Sequence, residues 1–208
     1  MCLLDQDGKR IAIENPLAKD DCPDTVKTLR RWLQEGPIDN VRAVFKNLLS
    51  VLLDMRMLDL PLVYSLEPSN VIVDTKSLQV RLVLNHNMFS QTAKPRVSET
   101  DFDEFRYVSP EELLSDKGQR AVTTLMWCVG CLLYEAWHGR SPWVTKLNPL
   151  CSQLMIKKYP VVFPRSVNVK HDADFNDCVW LCLDKDPNMR LGGETFELEL
   201  LSHPFFDQ

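Results

Sequence analysis

Residues 127–143 read WCVGCLLYEAWHGRSPW, and the run that leads into them, 121–138, is apolar on nearly every side before it meets Gly139. A helix that shows no polar face is a buried helix, so this one is expected to pass through the centre of the domain. Its apolar stretch, from Leu125 to Trp137, is too short to cross a bilayer.

Working outward from this helix, the C-terminal side carries three shorter helical patterns at 148–157, 173–183 and 194–201. On the N-terminal side, residues 71–83 read VIVDTKSLQVRLV, two β-branched runs joined by Asp74-Thr75-Lys76-Ser77, which predicts a hairpin. Before it, Val41, Val44, Phe45, Leu48, Leu49, Leu52 and Leu53 recur at helical spacing, predicting a long helix from the cap candidate Asp39 to about Leu58. An earlier helix is expected from an N-cap at Asp24 to about Glu35, closed by Gly36-Pro37. RIAIE at 10–14 alternates as a short strand, and residues 85–110 are polar and irregular, a long loop.

Bulk properties narrow the function classes. With 45% hydrophobic and 25% charged residues over 208 positions, one globular domain spanning 1–208 is expected. A formal charge of -5 disfavours sequence-independent binding to nucleic acid or anionic lipid. Seven cysteines, with Cys128, Cys131, Cys178 and Cys182 in apolar segments, read as buried reduced thiols and hence a cytoplasmic or nuclear setting. Cys128-x-x-Cys131 sits inside the apolar helix with no second pair at ligand spacing, so packing is the expected role. No metal site and no membrane insertion are expected.

Several local motifs converge. YVSPEELL at 107–114, the central-helix stretch at 127–143, CLDKDPNMRLGG at 182–193 and HPFF at 203–206 occur in an order and spacing that resembles the C-terminal lobe of a eukaryotic protein kinase, over roughly residues 11–206. The last two are similar to the form common in the AGC and calcium/calmodulin-dependent groups. The resemblance implies a mainly α domain with one small β-hairpin, with 85–110 as an activation-segment-like loop and 1–23 as the last strand of the small lobe plus a hinge-like connector. No glycine-rich loop and no V-A-I-K-like lysine precede the strand, so the small lobe is expected to be essentially absent. It also implies a buried ion pair between Glu111 and Arg190, fastening the activation segment to the helical base.

The chemistry of phosphoryl transfer can then be sought position by position. VYSLEPSN at 63–70 falls on the family pattern H-R-D-L-x-x-x-N. Leu66 and Asn70 match. Ser65 stands at the catalytic aspartate, and Glu67 at the lysine that contacts the transferred phosphate. Leu84-Asn85-His86 falls on D-F-G, and a one-residue slip puts Asn85-His86-Asn87 there; neither supplies a carboxylate for magnesium. Tyr64 and Leu125 replace the arginine and aspartate that brace the catalytic loop, so apolar packing is expected around both.

The expectation drawn from these positions is a degenerate kinase-like domain, a pseudokinase that is not an enzyme, binds no cofactor and acts as a scaffold. The kinase non-catalytic C-lobe domain is similar in kind. The rival expectation is a fragment or splice form of a kinase completed by a small lobe. A protein partner, or another copy of the chain, is expected on the face the small lobe would cover, near 11–16, 60–70 and 80–88. SETDFDE at 98–104 concentrates four acids, and Thr100, Asp101, Asp103 and Glu104 are candidate docking or regulatory residues.

Overall fold

The structure, a computed structural model, describes residues 2–4, 10–12, 25–35, 40–92, 106–115, 120–143, 149–164, 169–191 and 196–207. Helix α4, Val122–His138, is the axis of the fold, with every residue from Thr124 to Ala136 buried. It stops where Gly139 takes φ 67°, a left-handed conformation natural to glycine, and returns its N–H to the Glu135 carbonyl at 2.8 Å.

Helix α2, Val41–Met57, packs against α4 and buries Val44, Phe45, Leu48, Leu49 and Leu52, the apolar stripe read from the sequence. Truncating a fully buried member such as Leu48 is expected to cost ~2–5 kcal/mol in lost transfer energy and residual cavity. On another side α4 meets α6, Val169–Cys182, at close range. A Cβ built on Gly130 would lie 2.6 Å from the Cys182 Cβ and 2.8 Å from a Leu183 methyl, so the absence of a side chain there sets the distance between the two helices.

Around this core, Trp137 stacks on Phe175 with centroids 4.5 Å apart, and Phe205 meets both rings edge-on. Phe205 belongs to the short turn Pro204–Phe206, which follows α7, Phe196–Leu201. Lys46 of α2 donates to the Phe206 carbonyl at 2.7 Å, joining the turn to α2. Helix α5, Pro149–Lys158, and the short helix α3, Pro110–Leu114, pack against each other.

The mainly helical, kinase C-lobe-like fold expected from the sequence is observed, with two refinements in its β structure. Strands β4, Val71–Asp74, and β5, Val80–Leu82, form the expected hairpin, but a third strand, β3 (Val26–Thr28), pairs antiparallel with β4 on its other edge. The helix expected from Asp24 therefore begins only at Leu29: α1 is Leu29–Gln34, capped by Thr28, whose hydroxyl accepts from the Arg31 N–H at 3.1 Å. Pairing with β4 captures residues 26–28 before the helix can form; Asp24 itself lies outside the described residues. A separate two-stranded ribbon joins β1, Cys2–Leu4, to β2, Arg10–Ala12.

Candidate functional site

The loop 63–70 leaves α2 and enters β4. Val63 and Leu66 turn into the core, while Tyr64, Ser65 and Glu67 remain half-buried. Pro68–Asn70 winds one 3-10 turn, and the Val83 N–H after β5 donates to the Asn70 carbonyl at 2.8 Å. The Tyr64 N–H donates to the Met88 carbonyl at 2.7 Å, and the Gln91 amide donates to the Tyr64 hydroxyl at 2.8 Å. Loop 63–70 and segment 83–91 are thus one hydrogen-bonded unit. Leu125 is braced as expected, beside Leu52, Met55, Leu60 and Val63. The Tyr64 hydroxyl has a polar partner in Gln91.

Leu84 is half-buried against the core. The Asn85 Oδ1 accepts from the Met88 N–H at 3.1 Å, and the Asn70 Nδ2 is buried with no hydrogen-bond partner among the described residues. An amide N–H that seeks an acceptor and an amide oxygen already engaged do not make the carboxylate-bearing donor set that magnesium prefers. Thr100, Asp101, Asp103 and Glu104 lie outside the described residues.

Beside this unit stands the anchor of α3. Ser109 caps the helix in a reciprocal box, its N–H and hydroxyl both donating to Glu112 Oε2 at 2.9 Å while its Oγ accepts from the Glu112 N–H. Arg120 donates from Nε to Glu112 Oε1 at 2.6 Å and from Nη1 to the Asn87 carbonyl at 3.0 Å, so it joins α3 to segment 83–91. Arg190 donates to both oxygens of Glu111, at 2.7 and 3.0 Å, and further to the carbonyls of Thr123 and Asp184. Burial pushes the Glu111 carboxyl up, but the hydrogen bonds and charge of Arg190 outweigh it and the net shift is downward.

A third cluster was missed in the sequence. Arg106 donates to Glu135 Oε1 at 2.5 Å and the Tyr107 hydroxyl to Oε2 at 2.7 Å, so both oxygens of this buried carboxylate are engaged. Burial first, and then the Glu135 charge, push the Tyr107 phenol upward, which keeps it a donor. Twenty-eight and 29 residues separate the partners in sequence, and no local spacing signals their meeting.

These elements can be set beside known proteins. The chain is 28% identical over 144 residues to human serine/threonine-protein kinase Sgk2, covering 68% of this chain and 36% of that protein. It is 29% identical over 177 residues to the kinase SCH9 of Saccharomyces cerevisiae, covering 83% of this chain and 20% of its relative. With sck2 of Schizosaccharomyces pombe it shares 32% over 102 residues, 49% of this chain and 15% of that kinase. These three relatives are AGC-type serine/threonine protein kinases. No protein-family model matches the chain, which spans about a third of the length of Sgk2 and a fifth or less of the two yeast kinases.

This kinase relationship corrects one expectation. The reading of the chain as not an enzyme is overturned, because the proteins it matches are protein kinases, which are enzymes, and the residue types at Ser65, Glu67 and Leu84 do not establish a loss of catalysis. Among the described residues no helix is long and apolar enough to cross a membrane.

Proposed function

We propose that this chain works as the large lobe of an AGC-type serine/threonine protein kinase and that its own contribution is to hold protein segments on the platform formed by α3, the start of α4 and segment 83–91. One observation carries the reading: Glu111, held by Arg190, and Glu112, held by Arg120, fix α3 to the central helix and to segment 83–91. A surface that must recognise an extended segment benefits from being rigid before the segment arrives, since ordering it on binding would subtract from affinity. The test is a peptide array probed with the purified full chain. A subset of peptides should be retained, and Glu112→Gln, which loosens the platform without emptying the core, should weaken retention about tenfold, a loss of roughly 1.4 kcal/mol. Retention of no peptide, or an unchanged set in a variant that melts lower, overturns it.

A second reading is favoured by the share of Sgk2 that the chain matches. Here the face built by 60–70 and 80–88 receives a kinase small lobe, and the pair transfers phosphate. Mixing the chain with a separately expressed small lobe of a relative should then phosphorylate a peptide above the level of either part, and Asn70→Ala should abolish the gain. Without that gain the reading fails and the first stands alone.

A further inference from the structure

Segment 159–164, YPVVFP, follows α5 and belongs to no helix or sheet. Tyr159 and Phe163 each precede a proline, which steers both away from helical angles, and the proline rings hold their own φ at about −65°. The chain is therefore extended, and its side chains show the period of two that extension requires: Val161 is buried while Val162 is exposed. The Pro160 carbonyl accepts from Trp143 Nε1 at 3.3 Å, and the Val162 carbonyl accepts from the Tyr134 hydroxyl at 2.7 Å. In an extended chain the N–H and C=O of one residue face one way and those of the next face the other. Pro160 and Val162 turn theirs to the domain, so Val161 and Phe163 turn theirs outward, and neither makes a backbone hydrogen bond among the described residues. The prolines do not blunt this edge, because their ring nitrogens lie on the inner side with the engaged carbonyls. Trp180 of α6, exposed and with its ring 6.5 Å from that of Phe163, gives the edge an apolar border together with Tyr159 and Val162.

Charge points to what pairs with it. From Ala136 to His171 the sequence contains no Asp or Glu but holds Arg140, Lys146, Lys157, Lys158, Arg165 and Lys170, on a chain of formal charge -5. The acids of α6 and its end nearest Trp180 are engaged, Asp177 with His203 at 3.2 Å and Asp184 with the Asp186 N–H at 2.9 Å. A second copy laid antiparallel on the edge would set like charges together, since KKYPVVFPR at 157–165 is basic on both sides of the segment. We propose that 160–164 is an open strand edge that takes an extended segment of another protein, apolar at alternate positions and acidic at its ends. Val161 and Phe163 supply the N–H donors and C=O acceptors that pair with it, Val162 and Trp180 meet its apolar side chains, and Lys157 and Lys158 at the end of α5 receive its acids.

The edge shares no residue with the α3 platform, so the two readings fail separately. The probe is a fluorescein-labelled peptide, Glu-Glu-Val-Thr-Val-Thr-Val-Glu-Glu, beside a version with lysine at every glutamate, followed by anisotropy with the full chain. The glutamate peptide should bind about tenfold tighter at low salt, with the preference shrinking as salt is added. N-methylation of its peptide bonds one at a time then reads the backbone. Binding should fall about tenfold at alternate positions and hold between them, because only every second N–H of a strand faces its neighbour. Val162→Glu, at an exposed side chain and checked for an unchanged melting curve, should remove the preference for glutamate. Equal binding of the two peptides, binding of neither, N-methyl sensitivity without alternation, or a preference that survives Val162→Glu overturns the edge. Sedimentation that shows the chain alone as a dimer, dissolved by Val162→Glu, also overturns it, because the occupant is then a second copy.

Discussion

Arg190 reaches back 79 residues to close a two-pronged bond on Glu111, at 2.7 and 3.0 Å, while its remaining donors hold the carbonyls of Thr123 and Asp184. One side chain therefore ties α3, the start of α4 and the loop after α6 at a single point. Its own side chain is fully buried, and Glu111 is 21% exposed. Removing the cation strands a carboxylate and two carbonyls together, so Arg190→Met should cost ~3–5 kcal/mol. Chemical denaturation read by tryptophan fluorescence measures it, and a change under about 1 kcal/mol would show that the contact is screened like a surface pair.

The same pair makes stability acid-sensitive. Glu111 holds its proton less firmly in the folded chain than at its ordinary value of 4.5. Its contribution is thus fully present above that value and lost as pH falls through the lower folded one. Glu111→Gln should flatten the acid limb of a stability-against-pH curve, and a curve that keeps the wild-type slope would assign the acid loss to other carboxylates.

Lys185 predicts a slope of opposite origin. Its Nζ sits 3.5 Å from the Trp143 ring centroid and 4.7 Å from that of Trp127, beside two indoles stacked 4.9 Å apart, with no hydrogen-bond partner among the described residues. Burial outweighs every other influence and lowers the amine to about 7 from its ordinary 10.5, with Cys131 and Asp184 pulling it up and Arg190 pushing it down. The ring faces favour the ammonium and limit that fall. Between these two values the unfolded chain holds the proton and the folded chain does not, so this residue adds stability as pH rises from about 7 towards 10.5. Lys185→Met should be more stable than wild type at pH 7 and less dependent on pH above it. Parallel curves for the two proteins would mean that the amine stays charged beside the rings.

Gly130 offers a purely steric test. Since a Cβ there would come within 2.6 Å of the Cys182 Cβ, Gly130→Ala should cost ~1–3 kcal/mol despite the better helix propensity of alanine. Adding Cys182→Gly should recover part of the loss; if the single variant is as stable as wild type, α4 and α6 are free to move apart.

Thiol chemistry reports on the same core. Burial pushes Cys128 up to about 12, and Cys131 and Cys178 are raised well above the ordinary thiol range, Cys178 chiefly through its hydrogen bond with Cys182. Cys151 is exposed. Brief treatment with iodoacetamide followed by peptide mass analysis should find Cys151 labelled and Cys128, Cys131, Cys178 and Cys182 unlabelled until denaturant is added. Early labelling of Cys128 would mean that α4 opens locally.

The parts of the fold visible in the sequence are those in which one helix carries the whole signal. The all-round apolar pattern of α4 and the stripe of α2 needed no knowledge of their neighbours. Ser109 and Glu112 also carry a local capping signature, and it marks α3, which begins where the expected loop 85–110 ends. By contrast, Thr28 became a cap because β4 drew residues 26–28 into a sheet, a tertiary effect that overrides the local attraction of Asp24 as a helix start. The motif residues of loop 63–70 were legible as a pattern, but the polar bracing of Tyr64 by Met88 and Gln91 was not. Nor was the cluster around Glu135, whose partners lie 28 and 29 residues away in sequence.

The bond from Lys46 to the carbonyl of Phe206 spans 160 residues. It seals the outer side of α2, whose other cover, α7, also comes from the far end of the described chain. During synthesis α2 emerges early and waits, its apolar flank uncovered, until residues 196–206 leave the ribosome. Contacts of such long separation make folding slow and expose intermediates to aggregation, so the vulnerable moment in the life of this chain falls between the making of its first long helix and its last short one.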